Sequence, residues 1–418
     1  LYGRLHLQLL DKIIRLLMQI SRRKIMEKWN TKKAMSSLFV LGLGTAFIRS
    51  GGYTTIQKIA DAAVHKDVNI NAIDSDFTSN LWIQHELIDI NGIMEKLMGM
   101  RGYYSNMGMY VAKGNYIVSS SPETSTDYEY NQISALADFL KEHDIHLLYV
   151  NEPTKYVDDN FFKENFGVDS FSNRNMDKFL GRIREKGIPT IDLRENIREE
   201  GLNIKDFFYR TDHHWTTKAT LWAVKIIADG LNKYCGYSID TSIYNVDNYD
   251  MVEYKKAWLG EQGRKVSGAY VGLDDFTEIK PKFETSYTFK FPDGNKDGTF
   301  DMFVNEALYD KKSNVYSVGS WHYSYNRLNC INHNVNYGKI LLLGDSYEQT
   351  TEPFLSLGIK EVDSLVMREV DDSFDLKQYI LDNHYDTVII AYAQFMVGAH
   401  DDSTSANYKM FSFDKSIQ

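Results

Sequence analysis

The sequence predicts an α/β fold: a parallel sheet covered by helices on both faces and interrupted by a β-rich insertion. Three observations point there. From Asn131 onward, helix-like and strand-like segments alternate, the rhythm of βαβ units. The run Leu341-Leu342-Leu343, inside Lys339–Gly344, is apolar without a break, as a central strand buried on both faces should be. Residues 237–337 lose this rhythm and are rich in Tyr, Gly, Asn and Asp, with short β-like runs such as Tyr287–Phe291 before Pro292-Asp293-Gly294-Asn295.

The elements follow in order. Three regions are expected: 1–52, 53–125, and an α/β domain over 126–418 with the insertion 237–337 inside it. Arg22-Arg23-Lys24, then Lys28, Lys32 and Lys33, precede an uncharged apolar run, Ala34–Ile48. That run is short of the about 20 residues of a spanning helix. It fits the apolar core of an export signal or an uncleaved anchor, which would put the protein outside the cytoplasm. A buried N-terminal helix is the competing reading. Leu81–Met100 has helical spacing, and Gly108–Val118 reads as a hairpin around Lys113-Gly114-Asn115. Ser119–Thr126 is a Ser/Thr/Pro-rich loop, taken as a boundary. Helix Gln132–His143 leads to strand Ile145–Val150, which runs into Asn151-Glu152-Pro153-Thr154-Lys155. Helix Asn175–Lys186 stops at Gly187, before strand Ile188–Leu193. Helix Thr217–Asn232 ends before Gly236. After the insertion come the Lys339 strand, helix Thr351–Leu357, strand Val362–Val366, helix Leu376–Asn383 and strand Thr387–Tyr392.

Composition narrows the function classes. A net charge of −10 argues against a nucleic-acid-binding surface. Two cysteines, Cys235 and Cys330, are too few for a disulfide framework. The length of 418 residues suggests two or three structural units.

Chemistry concentrates in two stretches. In Tyr209-Arg210-Thr211-Asp212-His213-His214-Trp215-Thr216, residues two apart on extended backbone face one side, so Asp212 can hold one nitrogen of His214. His213 then points the other way. In Gly344-Asp345-Ser346-Tyr347, the Ser follows a buried strand at a tight turn, where ligands of open α/β sheets sit. An imidazole backed by a carboxylate activates a serine hydroxyl, and backbone N–H groups around Ser346 and Tyr347 would face the oxyanion. The plain structural alternative is that Ser346 caps the next helix. Asp212, His213 and His214 also offer metal-ligand types, but adjacent residues seldom share one tetrahedral ion, and neither metal nor cofactor is expected. Around the presumed cleft, Lys155, Tyr347, Arg368, His213 and Gln394 are candidate substrate contacts, Gln394 as a side-chain oxyanion donor.

These residues resemble a known family. Tyr-Arg-Thr-Asp212-His213-His214-Trp215-Thr looks like the name-giving motif of the DHHW proteins of Gram-positive bacteria, which are similar to the alginate O-acetyltransferase proteins with their SGNH-hydrolase-like domain. Glu152-Pro153-Thr154-Lys155, the Asp-His-His-Trp motif and Gly344-Asp345-Ser346-Tyr347 match in that order, over roughly Asn131 to Ala393. Residues 81–114 look like the N-terminal segment of the family. The Asp-His-Ser order resembles the acetyltransferase branch. The resemblance implies an SGNH-hydrolase-like three-layer domain and a triad of Ser346, His214 and Asp212. It also implies an acetyl-enzyme acting on acetyl esters of an extracellular polysaccharide, with a membrane-bound acyltransferase as possible acetyl supplier. Two other functions remain open at this point: a non-catalytic glycan- or partner-binding module, and a metal-dependent hydrolase.

Overall fold

The structure is a computed structural model that describes residues 84–103, 108–291, 293–304, 327–398 and 406–416. The chain divides into two units, 1–88 and 89–418. The expected signal or anchor, Ala34–Ile48, lies outside the described residues. Among the described residues no helix is long and apolar enough to cross a membrane.

Helix α1 (Gln84–Leu97) leads to the small antiparallel sheet β1 (Gly102–Tyr103), β2 (Met109–Ala112) and β3 (Tyr116–Ser119). Next come α2 (Asp127–Glu142), β4 (His146–Glu152), α3 (Asn160–Phe166), α4 (Ser172–Glu185), β5 (Thr190–Asp192), α5 (Leu193–Glu199) and α6 (Thr217–Tyr234). The former insertion holds β6 (Tyr249–Trp258), α7 (Glu261–Val266), α8 (Gly268–Val271), β7 (Asp274–Pro281), β8 (Tyr287–Phe291), β9 (Gly294–Gly298) and β10 (Arg327–Asn332). The chain closes with β11 (Lys339–Gly344), α9 (Glu348–Leu355), β12 (Glu361–Leu365), α10 (Leu376–Asn383), β13 (Thr387–Ala393) and α11 (Ala406–Met410).

The main sheet has eight strands in the order β5-β4-β13-β11-β12-β10-β8-β9. The first five run parallel, whereas β10, β8 and β9 are antiparallel. Strands β8 to β10 are thus not a separate β unit but complete one edge of the α/β sheet. The sheet is mixed, not wholly parallel as the βαβ rhythm suggested. Antiparallel strands need no helical crossover, so they leave no such rhythm in the sequence.

Alternate side chains of the strands enter two cores. Leu148, Val150, Leu342, Ile389 and Ala391 face one way and pack with Ala223, Val224 and Ile227 of α6. Leu147, Tyr149, Leu341, Leu343, Val388 and Ile390 face the other way and meet Leu136 and Leu140 of α2, Phe179 of α4 and Ile380 of α10. A sheet apolar on both faces requires helices on both, which makes the three-layer sandwich. The carboxyl ends of β4, β11 and β13 are neighbours, and the candidate site lies at that edge. Cys235 and Cys330 are free thiols, both buried.

Candidate active site

The Asp-His-His loop is shaped by its own backbone. Phe208 and Trp215 form an isolated antiparallel bridge, with Thr216 N–H donating to Phe207 O at 2.7 Å and Tyr209 N–H to His214 O at 3.3 Å. The bridge bends residues 209–214 into a loop. Trp215 is fully buried and its indole N–H donates to Thr350 Oγ1 at 3.2 Å, which ties the loop to α9. Thr216 then caps α6, accepting from Ala219 N–H. On the other side, the Asp274 carboxylate accepts from the Arg210 and Thr211 amides at 3.1 and 2.8 Å. The Lys155 ammonium donates to Arg210 O at 3.1 Å and Asp212 O at 2.7 Å.

These supports place Asp212 and His214 together. Asp212 Oδ1 accepts from the His214 amide at 2.9 Å and lies 2.5 Å from His214 Nδ1. Asp212 Oδ2 accepts from Glu261 N–H, at the start of α7, at 2.6 Å. Asp212 is buried, which opposes ionisation. The His214 and His213 imidazoles and the hydrogen bonds from His214 outweigh burial and hold its carboxyl far below the usual range. His214 Nε2 lies 2.7 Å from Ser346 Oγ. A carboxylate, an imidazole and a serine hydroxyl from positions 134 residues apart (346 − 212) therefore form one hydrogen-bonded chain.

The turn bearing Ser346 is laced by side chains. Asp345 accepts from Tyr347 N–H through one oxygen and from Ala393 N–H through the other, both at 2.9 Å. Helix α9 begins after Tyr347, which contributes no side-chain cap, and the Ser346 hydroxyl points to His214. The capping alternative for Ser346 is thereby replaced. Because the Tyr347 amide is committed to Asp345, the expected pair of oxyanion amides reduces to that of Ser346.

A cleft of ≈ 260 Å³ opens here, lined among others by Ser119, Ser121, Lys155, His213, Tyr347 and Phe395. Lys155 is buried, and burial pulls its amine down to about 7 against the attraction of Asp274 and Asp212. Its ammonium also lies 4.3 Å from the ring centre of Tyr116. The Tyr347 hydroxyl is spent on His213 O at 2.5 Å, so Tyr347 offers the cleft its ring. The His213 ring lies against that of His214, tilted by 36° with 3.9 Å between ring centres, so it does not point away as extended backbone would have it. Arg368 and Gln394 are not brought into the cleft. Arg368 lies on the turn after β12, 3.5 Å from Glu369. Gln394 is buried and its amide donates to Ser172 Oγ at 2.9 Å and Asn173 Oδ1 at 3.2 Å, which occupies the hydrogens an oxyanion would need.

Sequence reasoning missed the second support of Asp212. Gly260 sits against the loop so closely that a Cβ there would lie 2.3 Å from Asp212 Cβ and 2.6 Å from Thr211 O. Gly260→Ala is therefore expected to displace Asp212. It should cost about 1–3 kcal/mol by overpacking and up to about 10²-fold in turnover by misplacement. Denaturant unfolding and ester kinetics on the same variant check both. The signal in the sequence was Gly260-Glu261-Gln262-Gly263, a turn-and-helix start inside an otherwise β-like region.

His213 gives a pH prediction. Burial, then the neighbouring His214, lowers its imidazole from 6.5 to about 4, with Asp212 and Glu261 pulling the other way. A base with a depressed folded pKa contributes stability above its unfolded value and loses it as pH falls through the folded value. The melting temperature is thus expected to fall between pH 6.5 and 4, and His213→Gln to flatten that part of the curve.

The mixed three-layer sheet with this edge site is a fold that this chain shares with SGNH hydrolase-like proteins. The family model described as an SGNH hydrolase-like domain, acetyltransferase AlgX, matches residues 110–248, which include the Asp-His-His-Trp loop. The chain is 28% identical over 196 residues to the alginate biosynthesis protein AlgX of Pseudomonas syringae pv. tomato, a match covering 44% of this chain and 39% of that protein. It thus spans about two-fifths of the length of the curated relative it matches. Among solved structures, Bacillus cereus PatB1 with a sulfonyl adduct has a TM-score of 0.58 at 21% identity, covering 73% of this chain and 97% of that one. A DHHW family protein from Eubacterium siraeum has a TM-score of 0.53 at 16% identity, covering 73% and 96%. These two are likenesses of fold. Of the resemblances read from the motifs, the one to an alginate-acetylation protein appears in the sequence comparisons and the one to a DHHW protein in the fold comparison.

Proposed function

We propose that this protein is a serine-dependent carbohydrate O-acetyltransferase or acetylesterase of the bacterial cell envelope. The reading rests above all on the chain Asp212–His214–Ser346, whose 2.5 and 2.7 Å links suit proton transfer. The likeness to an alginate biosynthesis protein supports a polysaccharide as the other reactant.

In the first half-reaction Ser346 Oγ attacks the carbonyl carbon of an acetyl ester while His214 Nε2 takes its proton. The Ser346 amide faces the developing oxyanion. The tetrahedral intermediate collapses, the donor oxygen leaves with the proton from His214, and Ser346 carries the acetyl group. In the second half a hydroxyl attacks that ester and His214 again relays the proton. A sugar hydroxyl gives transfer and water gives hydrolysis. Asp212 keeps the His214 proton on Nδ1 and balances the imidazolium. Lys155, His213 and Tyr347 line the path of the incoming hydroxyl.

We place the protein outside the cytoplasm, held or exported by the apolar segment Ala34–Ile48, with residues 53–125 as lead-in to the α/β domain. A membrane-bound acyltransferase is the proposed acetyl supplier. The test is acetyl partitioning: the purified protein is incubated with an activated acetyl ester with and without cell-surface polysaccharide. Acetylated glycan, or glycan-independent release of acetate that disappears in Ser346→Ala, is the expected result. Ester turnover equal to buffer, or turnover retained without Ser346, defeats the proposal.

A further inference from the structure

Beneath the nucleophile turn lie three carboxyls that this scheme does not use. Glu152 ends β4, Asp345 follows β11 and Glu348 opens α9. All three are buried, with no more than 1% of any of them exposed, and an oxygen from each lies within 4.8 Å of the others. Asp345 is fully engaged by the Tyr347 and Ala393 amides. Glu348 uses one oxygen, accepting from Asp345 N–H at 3.0 Å. Among the described residues, the other Glu348 oxygen and both Glu152 oxygens have no hydrogen-bond donor.

Glu152 and Glu348 thus bring carboxyl oxygens to within 4.8 Å of each other. Ionised carboxylates offer only lone pairs, so two of them cannot face each other in a dry interior. One protonated carboxyl supplies the missing donor. We propose that Glu152 and Glu348 share a proton and that this carboxyl pair clamps the turn that carries Ser346. The clamp runs from the proton through Glu348 to Asp345 N–H, one residue from the nucleophile. Gly344 makes it possible, because a Cβ there would lie 2.2 Å from Glu348 Cγ. Glu152 and Glu348 are positioning residues; neither touches the reacting atoms.

Burial pushes both carboxyls well up, and the Asp345 charge adds to it. The surrounding titratable and charged groups are Tyr149 on β4, Tyr392 on β13, Tyr347 on the turn, and Arg368 and His214, which act on Asp345. An acid with a raised folded pKa contributes stability at low pH that is lost as pH rises through the folded value. Loss of the shared proton leaves like charges in an apolar site, so the clamp opens on the alkaline side.

This inference rests on the reading of Ser346 as nucleophile for its kinetic arm only. The experiment follows melting temperature and acetyl-ester kcat and KM against pH for the wild type, Glu152→Gln and Glu152→Leu. An amide at position 152 donates at any pH. The wild type is expected to lose several degrees and at least ~10-fold in kcat toward alkaline pH, with KM little changed, and Glu152→Gln to flatten both. Glu152→Leu should keep the fold and lower kcat by at least ~10-fold throughout. Superimposable melting curves for wild type and Glu152→Gln overturn the shared proton. So does a stoichiometric divalent cation whose chelation lowers the melting temperature. Separated melting curves with unchanged kcat profiles overturn the positioning role. A wild type that turns over no ester defeats the Ser346 reading, while the melting curves still decide the pair.

Discussion

Ser346→Ala is expected to lower turnover of an activated acetyl ester by at least ~10³-fold with almost no change in stability. The two halves of that expectation come from the same geometry. The Ser346 hydroxyl has His214 Nε2 as its partner at 2.7 Å, and it caps no helix. The turn is held instead by Asp345, Glu348 and the Ala393 amide. Removing one half-buried hydroxyl from a turn held elsewhere should stay within about 0.5 kcal/mol. Chemistry suffers because His214 then has no nucleophile to deprotonate. Michaelis–Menten kinetics beside a thermal melt separates the two. Loss of activity together with unfolding would mean that Ser346 is structural.

Asp212→Asn should be nearly as severe in kcat, about 10³- to 10⁴-fold, but with a loss of stability as well. Asp212 accepts three hydrogen bonds: from the His214 amide, from His214 Nδ1 and from Glu261 N–H. An asparagine has one acceptor and one donor end. With its oxygen toward His214, its NH₂ meets Glu261 N–H, and a buried donor is left unpaired at a cost of about 1–3 kcal/mol. Flipped, its NH₂ faces His214 Nδ1 and selects the imidazole tautomer with the proton on Nε2. That tautomer cannot take the Ser346 proton. Comparison with Ser346→Ala is therefore diagnostic: similar kinetic losses, but only Asp212→Asn should lower the melting temperature. A variant with normal kcat would show that His214 needs no carboxylate.

The site was legible in the sequence where chemistry depends on residue type and strand period. Ser346 stands at the end of an apolar strand, as local rules gave it. Asp212 and His214 do meet, but on a bent loop rather than the extended backbone expected, so His213 does not turn away and lies beside His214 in the same cleft. What stayed hidden depends on contacts between distant segments. The hydrogen bond from the Glu261 amide to Asp212, and the grip of Asp274 on Arg210 and Thr211, come from the region read as an insertion. No local pattern ties positions about fifty residues away to a carboxylate. The same holds for Glu152, noticed only as part of Glu-Pro-Thr-Lys, whose carboxyl lies within 4.8 Å of those of Asp345 and Glu348.

The fold shows the same division. The helices and parallel strands of the α/β unit emerged from periodicity, although α9 begins at Glu348, ahead of the expected Thr351, and residues 193–199 form a helix that the strand reading Ile188–Leu193 ran into. The antiparallel edge β10-β8-β9 was read as an insertion because its short strands carry no helix-strand rhythm. Gln394 illustrates the limit for side chains. Its place just after β13 suggested an oxyanion donor, whereas its amide turns inward to Ser172 and Asn173.

The most direct test of the account is to trap the acyl-enzyme. The protein is incubated briefly with an activated acetyl donor, quenched in acid, weighed intact and mapped by peptide fragmentation. The expected result is a gain of one acetyl group, located on Ser346, that is absent from Ser346→Ala and accumulates when acceptor is withheld. Ester turnover at the wild-type rate with no acetyl on Ser346, or with the acetyl group on another side chain, would contradict it.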